Sequence, residues 1–305
     1  MLVILENMAL LVIMLALGYM CVKLKLVGPE FNKGLNKLVI NILLVGLILG
    51  SVINKDLGMS RSDMLFCLGM MTIMQVLCLV IGILARRLPG LKNGDGGVYA
   101  LLVAFSNLGF IGVPVIASVY GDSAVFLVSL GNIPFNILLY TVGILLLQDD
   151  GSRQKIDIKR MINVPIIATL AATVIFLFNI PMPALIEDAA NMLSDACVPL
   201  SMMCVGLSLG NVSLKKTIMN PRIYIVNFLR LIVCPLLVWL IMRVFVSDPV
   251  MLGSIVIVAA CPPAVVCTIV AMENGRDGVE SSELICLGTL LSMVTIPLLI
   301  SVLGL

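Results

Sequence analysis

Long apolar runs alternate with short polar links along nearly the whole chain. Runs of the ~20 residues needed to cross a bilayer as a helix fall at 3–26, 34–53, 64–86, 97–119, 123–147, 162–180, 187–210, 222–246, 250–272 and 282–303. The pattern predicts an all-α polytopic membrane protein with ten transmembrane helices. One sizeable polar stretch, Asp149 to Arg160, lies between the fifth and sixth runs. It divides the chain into a first five-helix set (1–148), a short link (149–161) and a second five-helix set (162–305).

Two of the runs are interrupted in the middle, at matching places in the two sets. The fourth reads Ser106-Asn107-Leu108-Gly109-Phe110-Ile111-Gly112-Val113-Pro114, and the ninth Ala260-Cys261-Pro262-Pro263-Ala264. Proline removes a backbone donor but suits the first turn of a new helix, and glycine lets a chain leave a helix. Pro114 and Pro263 are therefore expected each to start a second half-helix near the bilayer centre. Unwound backbone at that depth is tolerated where protein or a polar cavity surrounds it. A matched pair of broken spans is the sequence pointer to a transporter's binding site. Free N–H groups and the helix dipole at such a start favour a carboxylate. The substrate-binding candidates are Asn107, Gly109, Gly112, Pro114, Pro262, Pro263 and Ala264.

Charge placement orients the chain. Fifteen of the nineteen Lys and Arg residues fall in odd-numbered links: Lys23, Lys25, Lys33, Lys37, Arg86, Arg87, Lys92, Arg153, Lys155, Lys159, Arg160, Lys215, Lys216, Arg222 and Arg276. By the positive-inside rule these links are cytoplasmic and both termini are extracellular, in the plasma membrane. Five spans per set then make the sets enter the membrane in opposite directions, the topology of two inverted five-helix repeats with crossover helices 4 and 9. The internal likeness is short: Leu127-Val128-Ser129-Leu130-Gly131 against Leu284-Ile285-Cys286-Leu287-Gly288, and Asn41 against Asp195.

Several polar residues lie within spans. Arg230 is about nine residues from the inner end of the eighth, near the midplane at 1.5 Å rise per residue. An intramembrane charge is a functional candidate by default. Its role is either functional, supplying positive potential to an anion or competing with a coupling ion, or structural, pinning its helix by bonding backbone carbonyls and a nearby acid. Asp195 is the nearest candidate acid, with an axial gap of roughly 10 Å by helix rise; with Asn41 it is a candidate for ion coupling, to protons or sodium. Asn132 and Asn136 share a helix face and either line a polar cavity or bond between helices. Gln75 and Asn227 are weaker cases of the same kind.

Composition narrows the rest. The chain is 61% hydrophobic and 12% charged, too apolar for a soluble domain. It has no histidine, which removes a Ser–His dyad and the commonest transition-metal ligand. Its nine cysteines form no CxxC pair and read as small apolar packing residues, so no metal and no cofactor is expected. The N-terminus lacks a basic n-region and reads as the first span rather than a signal peptide. The chain is read as a non-enzyme.

Asn107-Leu-Gly-Phe-Ile-Gly-Val-Pro114, followed by Tyr120-Gly121-Asp122, resembles the fourth-span signature of the auxin efflux carrier family. The resemblance continues through Gly18-Tyr19, Leu35-Asn36-Lys37-Leu38, Pro199, Arg230 with Pro235, Pro263 and Thr295-Ile296-Pro297. It implies ten spans in two inverted repeats crossing at the fourth and ninth, and a scaffold and a transport domain that move against each other. It also implies a small organic-anion substrate: auxin in plant members, malate- or malonate-like acids in bacterial ones. The short central link makes this chain similar to the bacterial type. Val45 stands where a proline is common, and Cys267 where a polar residue is expected.

The reading is a secondary transporter of a small, malate-like carboxylate, working by alternating access. The alternatives are an efflux carrier for an auxin-like aromatic carboxylate and a non-transporting membrane sensor of organic acids. Coupling to protons or sodium and uncoupled, potential-driven efflux both stay open. The partners implied are the carboxylate and the bilayer, with no nucleic acid; a homodimer is compatible with the reading.

Overall fold

In lipid, backbone polar groups must be satisfied within the segment that carries them, so an apolar run becomes a helix. The computed structural model of the protein describes residues 2–55, 57, 59–91, 95–147, 162–210, 220–276 and 278–305. Every run read as a span is helical. The elements are α1 (Leu2–Lys23), α2 (Glu30–Gly50), α3 (Arg61–Ala85), α4 (Gly96–Ala104), α5 (Leu108–Tyr120), α6 (Ala124–Leu147), α7 (Val164–Phe178), α8 (Ala184–Gly210), α9 (Pro221–Met242), α10 (Pro249–Ala260), α11 (Val265–Glu273) and α12 (Gly278–Leu303). Six of them, α2, α3, α6, α8, α9 and α12, are long and apolar enough to cross a membrane; further apolar helices are shorter. Among the described residues there is no strand, and the protein is an all-helical polytopic membrane protein.

The chain forms two compact units. Unit 1 holds Met1–Gly69, Gly109–Ile133 and Asn163–Asn211; unit 2 holds Met70–Leu108, Pro134–Ile162 and Val212–Leu305. Each draws segments from both sides of the 149–161 link. That link, with Arg153, Lys155, Lys159 and Arg160, lies outside the described residues, as do Lys92, Lys215 and Lys216.

Unit 1 is built on close packing of α1 against α8. A Cβ at Gly206 would overlap the Leu15 carbonyl, and one at Gly18 the Met203 carbonyl. Small residues let the two backbones approach, the usual way helices associate where no water drives them together. The same seam is tied at its end by Lys23 Nζ donating to the Gly210 carbonyl (3.0 Å) and Asn32 Nδ2 to Ser208 Oγ (3.1 Å).

Unit 2 gathers α4, α9, α10, α11 and α12 around a core that includes Leu101, Leu102, Ile255 and Val258. On α12, Val294, Leu298 and Val302 are spaced by four and exposed, an apolar stripe suited to lipid.

Four helices widen into single π turns: Val39–Leu43 in α2, Leu108–Gly112 in α5, Leu139–Gly143 in α6 and Leu229–Val233 in α9. The turn in α2 forms without a proline at position 45. Such turns recur at functional positions in helices, and the one in α9 carries Arg230.

Candidate functional site

The fourth run breaks where glycine and proline foretold a break, but the second half-helix starts earlier than Pro114. Helix α4 ends at Ala104, Phe105–Asn107 is non-helical, and the helix resumes at Leu108. Pro114 stands two residues beyond the π turn Leu108–Gly112. A proline ring in a regular helix strikes the carbonyl four residues back; the wider turn just before it relieves that clash. In the ninth run the expectation is closer. Helix α10 ends at Ala260, Cys261–Ala264 is extended, and α11 begins at Val265, two residues after Pro263.

The two non-helical stretches pair with each other within unit 2. Ser106 and Pro263 form an antiparallel bridge, with Asn107 N–H donating to the Pro262 carbonyl (2.8 Å) and Ala264 N–H to the Phe105 carbonyl (2.9 Å). This satisfies backbone groups that would otherwise be orphaned in the interior. The Asn107 N–H is thus taken by the bridge, which leaves its side chain as the group Asn107 can offer a ligand. Phe105 stacks edge-on against Phe135 (5.3 Å between centroids), next to the buried Asn136.

Arg230 is fully buried and bonds neither an acid nor open space. Its Nε donates to the Cys261 carbonyl (2.9 Å), Nη1 to the Val103 (2.9 Å) and Ala104 (3.3 Å) carbonyls, and Nη2 to the Val258 carbonyl (3.2 Å). These carbonyls end the first half-helices, α4 and α10, whose C-terminal groups lack partners within the helix. Each end carries a partial charge of about −0.5, so one guanidinium offsets two helix ends. Of the two roles open to Arg230, the geometry is that of the pin. Both half-helices are also capped at their other ends by aspartate: Asp95 accepts from Val98 N–H (3.1 Å), and Asp248 from Met251 N–H (2.7 Å).

Other span-embedded polar groups serve the same ends. Gln75 Nε2 donates to the Ala104 carbonyl (3.0 Å). The thiols of Cys261 and Cys267 point at the Ile257 (3.2 Å) and Leu101 (3.8 Å) carbonyls, so Cys267 holds α11 to α4. Asn227 Nδ2 donates to the Ile223 (3.0 Å) and Leu284 (3.1 Å) carbonyls.

The start of α11 differs from these closed ends. Its N-cap residue is Ala264, which has no side-chain cap to offer. Two buried hydroxyls without a protein partner flank it: Ser106 Oγ, opposite Pro263 in the bridge, and Thr268 Oγ1, in the first turn of α11. A buried hydroxyl left unpaired is costly unless a ligand or water completes it. Sequence reasoning missed both, although Ser106 was quoted as part of the break; a serine among glycines carries no signal until its neighbour across the bridge is known.

The remaining candidates lie in unit 1. Gly109, Gly112, Pro114 and Asn132 belong to α5 and α6, with Gly112, Pro114 and Asn132 buried. Asp195 is exposed on α8, and Asn41 is exposed and donates to the carbonyl of Lys37 (2.8 Å). The structure therefore brings together Asn107, Pro262, Pro263, Ala264 and Arg230 in unit 2, and places Asp195 and Asn41 in unit 1.

A polar layer at the ends of the unit 2 helices also escaped the sequence reading. Glu280, in the first turn of α12, accepts from Tyr99 Oη (2.8 Å) and Asn220 Nδ2 (2.8 Å), with Arg222 3.9 Å away. Arg276 pairs with Asp95 (3.5 Å) and donates to the Leu147 carbonyl (2.6 Å).

An apolar bundle that is all-helical among the described residues, with paired internal breaks, is that of a polytopic membrane protein rather than a soluble domain, and the comparisons make it a transport protein. Residues 3–300 match the family described as "Membrane transport protein", and the chain belongs to this family, the auxin efflux carrier family of the sequence resemblance. It is similar to an uncharacterized transporter of Methanothermobacter thermautotrophicus, 28% identical over 301 residues that cover 96% of each chain.

Proposed function

We propose that this protein is a secondary active transporter of small organic anions, and that it binds a carboxylate at the paired breaks and carries it by alternating access. The observation that supports this best is the Ser106–Pro263 bridge. It joins two unwound stretches from distant parts of the chain and leaves the α11 start uncapped beside it. Backbone N–H groups at that start, with the Ser106 and Thr268 hydroxyls, suit a carboxylate. Pro262, Pro263 and Ala264 shape the stretch, and Asn107 and Asn136 flank it.

In this proposal the chain crosses the cell membrane ten times, as two inverted five-helix repeats with both termini outside. The family resemblance favours a malate-like acid. Asp195 and Asn41 are the proposed residues for a coupling proton or sodium ion. Reconstituted protein should take up labelled malate into liposomes. Pro114→Ala combined with Pro263→Ala should abolish uptake while the protein still elutes as a folded species; turnover equal to wild type would refute a site built on the breaks.

A further inference from the structure

The inference concerns charge, and it rests on the organic-anion reading above. Among the described residues, Arg230 is the one charged side chain that is fully buried. It would be the natural partner for an anion's second carboxylate. Its donors are already directed elsewhere. Four hydrogen bonds run from the guanidinium to the carbonyls of Cys261, Val103, Ala104 and Val258 at 2.9–3.3 Å. The two half-helix ends that these carbonyls terminate carry together about −1 elementary charge. The guanidinium and the two ends thus form a neutral set.

What remains positive in unit 2 at the bridge is the start of α11; the other half-helix start, α5, has its first N–H bonded to the Ser106 carbonyl (2.8 Å) and passes into unit 1 from Gly109. One helix N-terminus is equivalent to about +0.5 elementary charge. The flanking Ser106 and Thr268 supply neutral hydroxyls, both buried and unpaired. Asn227 presents an acceptor: its Oδ1 is buried without a donor, and it lies close to Pro263 across Gly288. An acceptor repels a carboxylate rather than holding it. The set of groups is matched to one carboxylate and leaves a second with no charged partner.

We infer that the transported anion is bound with a single negative charge. It is a monocarboxylate or a dicarboxylic acid with one carboxyl protonated or otherwise neutral. A fully ionised dicarboxylate would carry a second desolvated charge with no charged partner. An unpaired buried charge of that kind is strongly disfavoured.

Methyl esters of one acid test this without changing its skeleton. The purified full-length protein is titrated calorimetrically at one near-neutral pH with malonate, monomethyl malonate and dimethyl malonate. Lactate against malate, and indole-3-acetate, extend the panel. Monomethyl malonate should bind at least about tenfold more tightly than malonate, the dimethyl ester should not bind, and lactate should exceed malate. Malonate binding as tightly as its monoester, or more so, would overturn the inference while leaving the organic-anion reading intact. Binding of the uncharged diester as strong as the monoester would also overturn it. Failure of every acid in the panel to bind would bring down the organic-anion reading, and this inference with it.

Discussion

Replacing Arg230 with Met separates a clamp from a ligand. The side chain keeps its length and apolar stem but loses its donors. The Val103 and Cys261 carbonyls, each bonded by the guanidinium at 2.9 Å, lose their nitrogen donor. Ala104 keeps Gln75, and Val258 keeps the Cys261 N–H at 3.3 Å. Two buried acceptors at about 1–3 kcal/mol each give a loss of about 2–6 kcal/mol. At about 2–4 °C per kcal/mol, the apparent melting temperature should fall by about 4–24 °C. Eight of the nine cysteines are buried, so a thiol-reactive dye reads the melt directly. Arg230→Lys should recover part of the loss, since an ammonium keeps the charge but cannot span four carbonyls in a planar fork. An Arg230→Met protein that melts within about 1 °C of wild type, far inside the expected fall, yet no longer binds an anion would refute the clamp and make Arg230 a ligand.

Ser106→Ala removes an unpaired hydroxyl, so anion affinity should fall about 2–10-fold, the worth of one hydrogen bond, with the melting temperature unchanged; an unchanged affinity would take Ser106 out of the site. In Gly288→Ala the new methyl would overlap Asn227 Oδ1 and lie 3.0 Å from Pro263 Cδ; overpacking of about 1–3 kcal/mol should lower the melting temperature and weaken anion binding together, and wild-type values for both would show that Asn227 moves aside freely. Tyr99→Phe and Glu280→Gln, made singly and together, should show coupling in a double-mutant cycle on the melting temperature, because their hydroxyl and carboxylate meet at 2.8 Å; strict additivity would mean the contact contributes nothing. Asp195→Asn should abolish proton- or sodium-driven accumulation in liposomes while counterflow exchange persists; unaltered accumulation would remove Asp195 from the coupling role.

The helices were legible because the apolar period and length of each run are local properties. The breaks were legible for the same reason, since Gly109, Gly112, Pro262 and Pro263 constrain their own backbone. The start of the second half-helix in α5 was misplaced because proline was read as a helix opener. Here a π turn, which has no residue signature, already winds the chain at Leu108. The depth of Arg230 could be counted along its span, but its partners could not. They are backbone carbonyls, identical at every residue, and only the fold says which ones lie within reach. The same applies to Ser106, whose significance depends on Pro263, a residue far along the chain.

A broken helix has a physical problem that an unbroken one lacks. Each break exposes a C-terminal set of carbonyls and an N-terminal set of N–H groups to the low-dielectric interior. For the N–H set to receive an anion, as proposed above, the carbonyl set must be closed by something else. In unit 2, one arginine closes the carbonyl ends of both α4 and α10, with Gln75 and the thiols of Cys261 and Cys267 beside it. Had those carbonyls stayed open, their negative potential would oppose the very ligand that the N–H ends attract. If the protein carries an anion as proposed, the arginine's contribution to binding is to cancel a repulsion, without touching the anion. On that proposal a buried guanidinium is compatible with a site that presents only dipoles, hydroxyls and amides to its ligand.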